Sequence, residues 1–243
     1  MGKLPLGGDL QVYAVQAEFA LNERLSFVAT KDGYIDFRPD ATLTETSGWA
    51  NIAGGAKWAW LYRPEQGMAS SLQLLYEFPS GDSDVWQGTG NGTIIPSILF
   101  LKACNRLQYS NTLGFRLPVD ENANSTQFYT SHHLGFHLTD WLYPLVEVNW
   151  FHVMDEGNGG PRFGAHAGGL VPAIATFEAG DLVDWGALNA GIHDDLVTMA
   201  VGCRLNAPKL PNADFGVAWE FPLTDEEATI MKDRLTVDFE IKF

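Results

Sequence analysis

The chain ends on Leu235-Thr-Val-Asp-Phe-Glu-Ile-Lys-Phe243, a stretch in which apolar and polar residues alternate without a fault. Successive side chains on a β-strand point to opposite faces of the sheet. One face of this stretch is therefore entirely apolar and consists of Leu235, Val237, Phe239, Ile241 and Phe243. Chain termini fray unless something holds them, and a closed barrel holds its last strand by pairing it with the first. The ending therefore predicts the closing strand of a β-barrel.

The same alternation recurs along the whole chain in segments of about ten residues, which is typical of antiparallel transmembrane β-barrels. Each segment is weak by itself, but together they predict an all-β protein. The alternating segments are Tyr13–Leu21, Leu25–Thr30, Ile52–Tyr62, Leu72–Phe78, Leu107–Leu117, Phe128–Leu138, Pro144–Trp150, Val197–Leu205 and Phe215–Phe221. The segment Ile94–Ala103 is nearly all apolar, so the sequence leaves its facing open.

Composition excludes several classes of protein. Aromatic residues make up 12% of the chain, yet the mean hydropathy is only −0.07. No stretch approaches the roughly 18–20 apolar residues of a membrane helix. The net charge of −15 repels nucleic-acid phosphate, so we expect no nucleic-acid partner. The two cysteines, Cys104 and Cys203, show no metal-ligand spacing, and two unpaired thiols are favoured over a disulfide.

Short and long connections alternate along the predicted strands, as they do in bacterial outer-membrane barrels, which have short periplasmic turns and longer outer loops. The short connections are Asn22–Arg24, Gln66–Gly67, Asn105–Arg106, Thr139–Trp141 and Pro208–Asn212. The long ones are Arg38–Gly48, Ser80–Gly92, Val119–Ser125, Asp155–Asp195 and Leu223–Lys232. We therefore expect one barrel domain over residues 10–243 in the outer membrane, preceded by an N-terminal loop remnant over residues 1–9.

The strand count predicted from these connections is odd. The first predicted strand, Leu10–Leu21, and the last strand both run toward the short turns, which gives eleven strands. A hairpin formed by Val171–Phe177 and Asp181–Ala187 would make the number thirteen. Bacterial single-chain barrels are even-numbered. We therefore expect one strand to be missing before Gly7-Gly8 and the intact protein to have twelve, with a signal peptide upstream of Met1. A closed, even-numbered barrel formed by these 243 residues alone would contradict this expectation.

Four phrases resemble known outer-membrane proteins. The terminal strand resembles the C-terminal signal read by the barrel-assembly machinery. The other three are Ala29-Thr-Lys-Asp-Gly-Tyr-Ile-Asp-Phe-Arg-Pro-Asp40, Thr139-Asp-Trp-Leu-Tyr-Pro-Leu-Val-Glu-Val-Asn149, and Ala218-Trp-Glu-Phe-Pro-Leu-Thr-Asp225 with Asp233-Arg-Leu-Thr-Val-Asp238. Together these three resemble a group of outer-membrane barrels from planctomycete-type bacteria, which is similar to transporters labelled for the MetA pathway of phenol degradation. The resemblance implies a barrel with an additional first strand and, more loosely, passage of small aromatic or hydrophobic compounds.

Several charged and histidine side chains fall on the predicted inward faces and are candidates for lining a lumen. They are Glu77, Arg116, His133, His137, Glu147, Arg204 and Glu220. Glu77 and Glu220 lie in near repeats, Tyr76-Glu-Phe-Pro79 and Trp219-Glu-Phe-Pro222. They could bias a pore mouth toward cations, as rings of carboxylates do. Equally, they could form ion pairs with Lys57, Arg116 or Arg204.

The residues give little support for catalysis or for a cofactor. Ser131, His133 and His137 share a face, but residues two apart on a strand are about 7 Å apart, too far for a direct Ser–His hydrogen bond. Two histidines do not make a zinc site, and the acidic loops lack a calcium-loop pattern. We therefore expect no enzymatic activity, no metal and no cofactor. The strand-end aromatics, Tyr143 among them, are interpreted as membrane-interface girdles rather than as a ligand pocket.

The sequence thus favours passive passage of small solutes through a narrow lumen, because side chains can largely fill a barrel of about this strand number. Expected partners are outer-membrane lipids and lipopolysaccharide, the barrel-assembly machinery and small solutes. A structural barrel without transport is the main alternative, followed by an outer-membrane hydrolase and a soluble ligand-binding barrel.

Overall fold

The computed structural model describes residues 1–4, 7–40, 44–85, 87–88, 90–121, 124–155, 195–206, 212–224 and 231–242. Within them the chain forms strands and two 3-10 helices, Pro64–Gln66 and Ser83–Val85. The strands are β1 (Gly2–Lys3), β2 (Gly8–Ala20), β3 (Leu25–Pro39), β4 (Thr46–Trp49), β5 (Ile52–Arg63), β6 (Met68–Phe78), β7 (Thr93–Cys104), β8 (Leu107–Pro118), β9 (Thr126–Phe136), β10 (Leu142–Asp155), β11 (Asp195–Asn206), β12 (Ala213–Pro222) and β13 (Asp233–Ile241).

The sheet closes on itself, with every neighbouring pair antiparallel. Strands that follow each other in sequence also pair, from β5 round to β13. β3 pairs with β2 on one side; on the other it pairs with β5 over one half of its length and with the short strand β4 over the other half. β1 lies between β13 and β2 and completes the circle. The predicted all-β antiparallel barrel of about twelve strands is therefore confirmed.

The N-terminal residues correct the count made from the sequence. Gly2–Lys3 form a strand in the place that the eleven-strand count leaves empty. Residues 1–9 are therefore not simply a loop, and β2 begins at Gly8, two residues before the predicted start. The parity argument correctly required a twelfth strand. However, the expectation that this strand is wholly absent from the chain is wrong, because Gly2 and Lys3 form two residues of it and close the barrel with an even number of strands.

The short turns lie together at one end of the barrel, which we call the short-turn end; the opposite end is the long-loop end. Four of the five predicted short turns fall on described residues and join consecutive strands. At the first of them, the Asn22 side-chain oxygen accepts hydrogen bonds from the backbone of Arg24 and Leu25, at 2.9 and 3.0 Å. The turn at Pro208–Asn212 lies largely outside the described residues, as do most of Asp155–Asp195 with its candidate hairpin, the middle of Leu223–Lys232, and Phe243.

The outer surface of the wall is covered by large apolar side chains, as the alternation predicts. Phe19 is 67% exposed and Phe239 is 62% exposed. The structure also shows which side of β7 faces outward, since Ile94 and Ile98 are exposed while Ile95 and Ser97 are buried. We call this surface the apolar belt; it consists of Tyr13, Val15, Phe19, Phe27, Trp58, Leu72, Leu74, Ile98, Leu113, Leu134, Val201, Val237 and Phe239. No helix within the described ranges is long and apolar enough to cross a membrane.

The best-buried apolar side chains belong to the long-loop end. Leu10 lies opposite Phe37 across the β2–β3 pair. Ile35 follows on the same face of β3, and all three are essentially inaccessible. Val153 and Leu196 form a second buried pair near the ends of β10 and β11. The interior is thus packed at this end of the barrel.

Candidate functional site in the barrel interior

A polar cavity of about 610 Å³ occupies the interior near the short-turn end. Inward residues of β7 to β13 line it, because every second side chain of each strand points to the interior. The polar members of the lining are Asn105, Arg106, Gln108, Ser110, Thr112, Ser131, His133, His137, Tyr143, Glu147, Arg204, Asn206, Asp214, Glu240 and Lys242. Four of the seven lumen-lining candidates belong to this set, namely His133, His137, Glu147 and Arg204, whereas Glu77, Arg116 and Glu220 lie elsewhere.

A cross-strand pair stands at the centre of the β9–β10 wall of this cavity. His133 lies directly opposite Glu147, with 3.3 Å between His133 Nδ1 and Glu147 Oε2. Asn149 Nδ2 donates to the other carboxylate oxygen at 3.1 Å. The carboxylate is thus bonded through both oxygens, while about a third of its side chain stays accessible. This pair can offer a solute both a charge and a hydrogen-bonding ring.

The adjoining part of the wall, formed by β11 to β13, carries two exposed cations held by carboxylates. Arg204 donates to Asp238 at 3.0 Å and to Glu240 at 2.7 Å. Just beyond the end of β13, Lys242 Nζ donates to Asp214 at 2.9 Å. The hydrogen bond to Asp214 raises the pKa of Lys242 above its usual value, against the opposing effect of partial burial. The cavity therefore presents charges of both signs, which suits polar solutes.

An aromatic pair closes one side of the cavity, and it was missed from the sequence. The rings of His137 and Tyr143 are stacked with centroids 4.5 Å apart and planes within 5° of parallel. Both residues line the cavity, so the interpretation of Tyr143 as part of an outer girdle is wrong. The Nε2 atom of His137 is buried and makes no hydrogen bond within the described part of the chain. The pairing register across β9 and β10 brings these rings together, and neither segment reveals it alone.

The two repeated glutamates lie deeper, toward the long-loop end, and both are buried. Glu77 accepts from Asn51 Nδ2 at 3.1 Å and pairs with Arg116 at 3.3 Å. The sequence left two interpretations of Glu77 open, a carboxylate at a cation-selective pore mouth and a member of an ion pair. The structure shows the ion pair, with Arg116 as the partner. Lys57 instead pairs with Glu18 of β2.

Glu220 has an ion-pair partner that the sequence did not indicate. It accepts hydrogen bonds from Thr198 Oγ1 at 2.6 Å and Asn149 Nδ2 at 3.3 Å. Arg234 lies directly opposite it in the β12–β13 register and forms an ion pair with it. Only 5% of the Glu220 side chain is exposed. We call the two ion pairs, Glu77–Arg116 and Glu220–Arg234, the charged layer.

The connection between β6 and β7, residues 79–92, folds back against the long-loop end; we call it the inner loop. Asn51 Oδ1 accepts from the backbone N–H groups of Gly81 and Gly88, at 3.0 and 2.9 Å. The Asn51 backbone N–H donates in turn to Gln87 Oε1 at 3.0 Å. Val85 and Gln87 are almost completely buried. Asn51 therefore links the inner loop to Glu77 and so to the charged layer.

The described residues do not bring the candidate catalytic or metal-ligating side chains together. Within them, no hydrogen bond joins Ser131 to His133, and no group of three potential ligands could hold a metal ion. Cys104 and Cys203 are both free, which confirms the prediction of unpaired thiols. His132, on the outer face, bonds through Nδ1 to the Tyr109 hydroxyl at 2.8 Å. Most carboxylates of the acidic loops lie outside the described ranges.

Comparison with models of protein families finds no match, and comparison with curated proteins finds none either. The resemblance to outer-membrane barrels of planctomycete-type bacteria therefore stays a prediction.

Proposed function

We propose that the protein is an outer-membrane β-barrel that passes small solutes through its interior. The observation that carries the proposal is the inverted polarity of the wall. Its exposed face is the apolar belt, while its interior holds a polar cavity and several ion pairs. A water-soluble barrel buries apolar side chains and exposes polar ones, whereas a membrane barrel presents an apolar outside and a polar inside. In this proposal the apolar belt contacts the membrane lipids and the short-turn end faces the periplasm.

The size and lining of the cavity support small polar solutes. Its 610 Å³ corresponds to about twenty water molecules at roughly 30 Å³ each. The cations of Arg204 and Lys242 and the carboxylate of Glu147 would bind solutes that carry charge or hydroxyl groups. The aromatic or hydrophobic substrates implied by the resemblance find one matching feature, the stacked rings of His137 and Tyr143. The polar lining therefore makes hydrophilic solutes the better proposal.

Passage across the whole barrel requires movement at the long-loop end. Removing one member of a buried ion pair costs about 3–5 kcal/mol, so the charged layer is expected to stay in place. The inner loop is held by bonds to the Asn51 side chain and to the backbone of Trp49 rather than by a strand ladder. Segments with few backbone ladder bonds open at lower free energy than strands do. We therefore propose the inner loop as the element that opens.

Planar-bilayer conductance of the refolded protein tests this proposal. Asn51→Ala removes the acceptor that holds Gly81 and Gly88 and should raise the open fraction at least several-fold over wild type. Asn111→Ala is the matched control, since Asn111 lies on β8 and bonds to Ser131 on the neighbouring strand rather than to the inner loop. If wild type and Asn51→Ala neither conduct nor admit solutes into liposomes, passage is refuted.

A structural barrel without transport is the second candidate, and one observation favours it. Glu77, Gln127, Thr198 and Glu220 are all nearly inaccessible, so the interior is tightly filled at their level. In that case the protein would serve as a wall component held by lipopolysaccharide and inserted by the assembly machinery. Fractionation of outer membranes, together with heat-modifiable migration in electrophoresis, tests the location independently of any transport. Recovery in the soluble fraction would refute both candidates.

A further inference from the structure

The barrel closes through its weakest strand. In β1, Gly2 pairs with Arg234 of β13 and with Leu10 of β2. Met1 adds one more rung, since its amino group and its carbonyl bond to the backbone of Leu235, each at 2.7 Å. Beyond this rung, β13 pairs with β12 alone and β2 pairs with β3 alone. The closure thus spans only a small part of the wall.

Between β1 and the short-turn end, two strand edges face each other with no hydrogen-bonded ladder between them. They are Val12–Ala20 of β2 and Thr236–Ile241 of β13, and we call the space between them the seam. Among the described strands, no pairing joins β2 directly to β13. At the level of β1, which lies between them, the two edges are two strand spacings apart, about 9.5 Å. One further strand fills a gap of this width.

The seam lies in the apolar belt. Tyr13, Val15 and Phe19 point outward from one edge, and Val237 and Phe239 from the other. In a membrane each unsatisfied backbone N–H or C=O group costs several kcal/mol, and lipid-exposed sheet edges do not occur. A barrel located as proposed above therefore needs backbone partners along both edges.

We propose that the seam is filled by the segment of this polypeptide that directly precedes Met1, extended as a continuation of β1. The pairing of Gly2 and Lys3 fixes its register on both sides. The first residue before Met1 faces Thr236 and Val12, and the second faces Val237 and Tyr13. This direction keeps the new strand antiparallel to both neighbours, whereas direct pairing of β2 with β13 would be parallel.

The register also specifies the chemistry of the segment. Residues paired across a ladder point to the same face. The second, fourth and sixth residues before Met1 therefore lie beside outward apolar side chains and should be apolar. The first, third and fifth point inward, beside Thr236, Asp238 and Glu240, and should be small or polar. Six residues reach Ile241 at the end of β13, which sets the minimum length.

The native N-terminus decides the proposal. Mass spectrometry of the protein from producing cells should find a mature chain that begins at least six residues before Met1, with the alternation just described. A mature chain that begins at Met1 overturns the proposal. So does an upstream segment whose apolar residues fall at the odd positions, because a slip of one residue turns every side chain to the other face.

Cross-linking tests the position of the segment. In a background with Cys104→Ser and Cys203→Ser, a cysteine at the fourth residue before Met1 should form a disulfide with Phe239→Cys, its predicted neighbour. The matched control places that cysteine at the third residue, on the other face, and should not cross-link. Two results overturn the proposal: an intramolecular disulfide between Tyr13→Cys and Val237→Cys, which would show that the seam closes on itself, or disulfide-linked dimers through Val237→Cys, which would show that a second copy fills it. None of these results depends on conductance.

Discussion

Removing Arg234 should destabilise the barrel more than removing any exposed cation of the same type. Arg234→Met leaves the Glu220 carboxylate buried, with only 5% of its side chain exposed. Breaking a buried pair by removing one partner costs about 3–5 kcal/mol. Thr198 and Asn149 still donate to Glu220, so we expect the lower end of that range, about 3 kcal/mol. The second substitution, Glu220→Gln, removes the uncompensated charge and should bring the double variant within about 1 kcal/mol of wild type.

Reversible urea unfolding in lipid vesicles, followed by tryptophan fluorescence, measures these differences. The matched control is Arg204→Met. The carboxylates that bind Arg204 are 44% and 47% exposed, and exposed pairs contribute about 0–1 kcal/mol. If Arg234→Met costs no more than Arg204→Met, the charged layer is not an energetic feature of the wall. If the double variant is as unstable as Arg234→Met, the lost unfolding free energy comes from packing rather than from the unpaired charge of Glu220.

Three further outcomes are expected. Gly48→Ala should displace the inner loop and raise conductance, because a Cβ there would lie 2.7 Å from the side chain of Asp82. Gly54→Ala is the control and should leave conductance unchanged, because its Cβ would lie 3.5 Å from the nearest atom, the carbonyl oxygen of Val28. The raised pKa of Lys242 means that its ion pair stabilises the fold below the usual lysine pKa of 10.5 and loses that effect as pH rises through the folded-state value. Lys242→Gln should therefore lower the unfolding free energy by under about 1 kcal/mol at pH 8, and the difference should vanish in strongly alkaline urea titrations. Val237→Arg, on the apolar belt, should cost about 2–4 kcal/mol, and Thr236→Arg, on the inner face, should cost much less. The folded fraction in electrophoresis without heating reports both, and equal losses would refute the assigned facing.

The sidedness of the wall could be predicted from sequence because it depends on a period of two, which each strand carries within itself. Val237 and Phe239 are exposed as the alternation requires. β1 could not be found in this way, since two residues have no period. Parity of the connections predicted that a strand was needed, yet it could not show that Gly2–Lys3 supply it.

The interior contacts were harder to predict because they depend on register between strands. The candidate pairing of Glu77 with Arg116 was reached from sequence as one of several alternatives. Arg234 was missed as the partner of Glu220, because the rung that joins them is defined only once β12 and β13 are aligned. The inner loop was expected to be an external loop. Its inward fold follows from bonds to Asn51, thirty and more positions away in the chain.

The change of partner along β3 is expected to divide the molecule into two cooperative units. Near the short turns, β3 is bonded on both sides to long strands of the wall. Near Phe37 it is bonded instead to β4, which packs against the inner loop. Amide hydrogen exchange should therefore show two classes of protection. β4 and the inner loop should exchange by local opening, while the amides of β3 around Phe27 should exchange only when the whole wall unfolds. The mouth of the barrel can then rearrange without any loss of the wall's integrity.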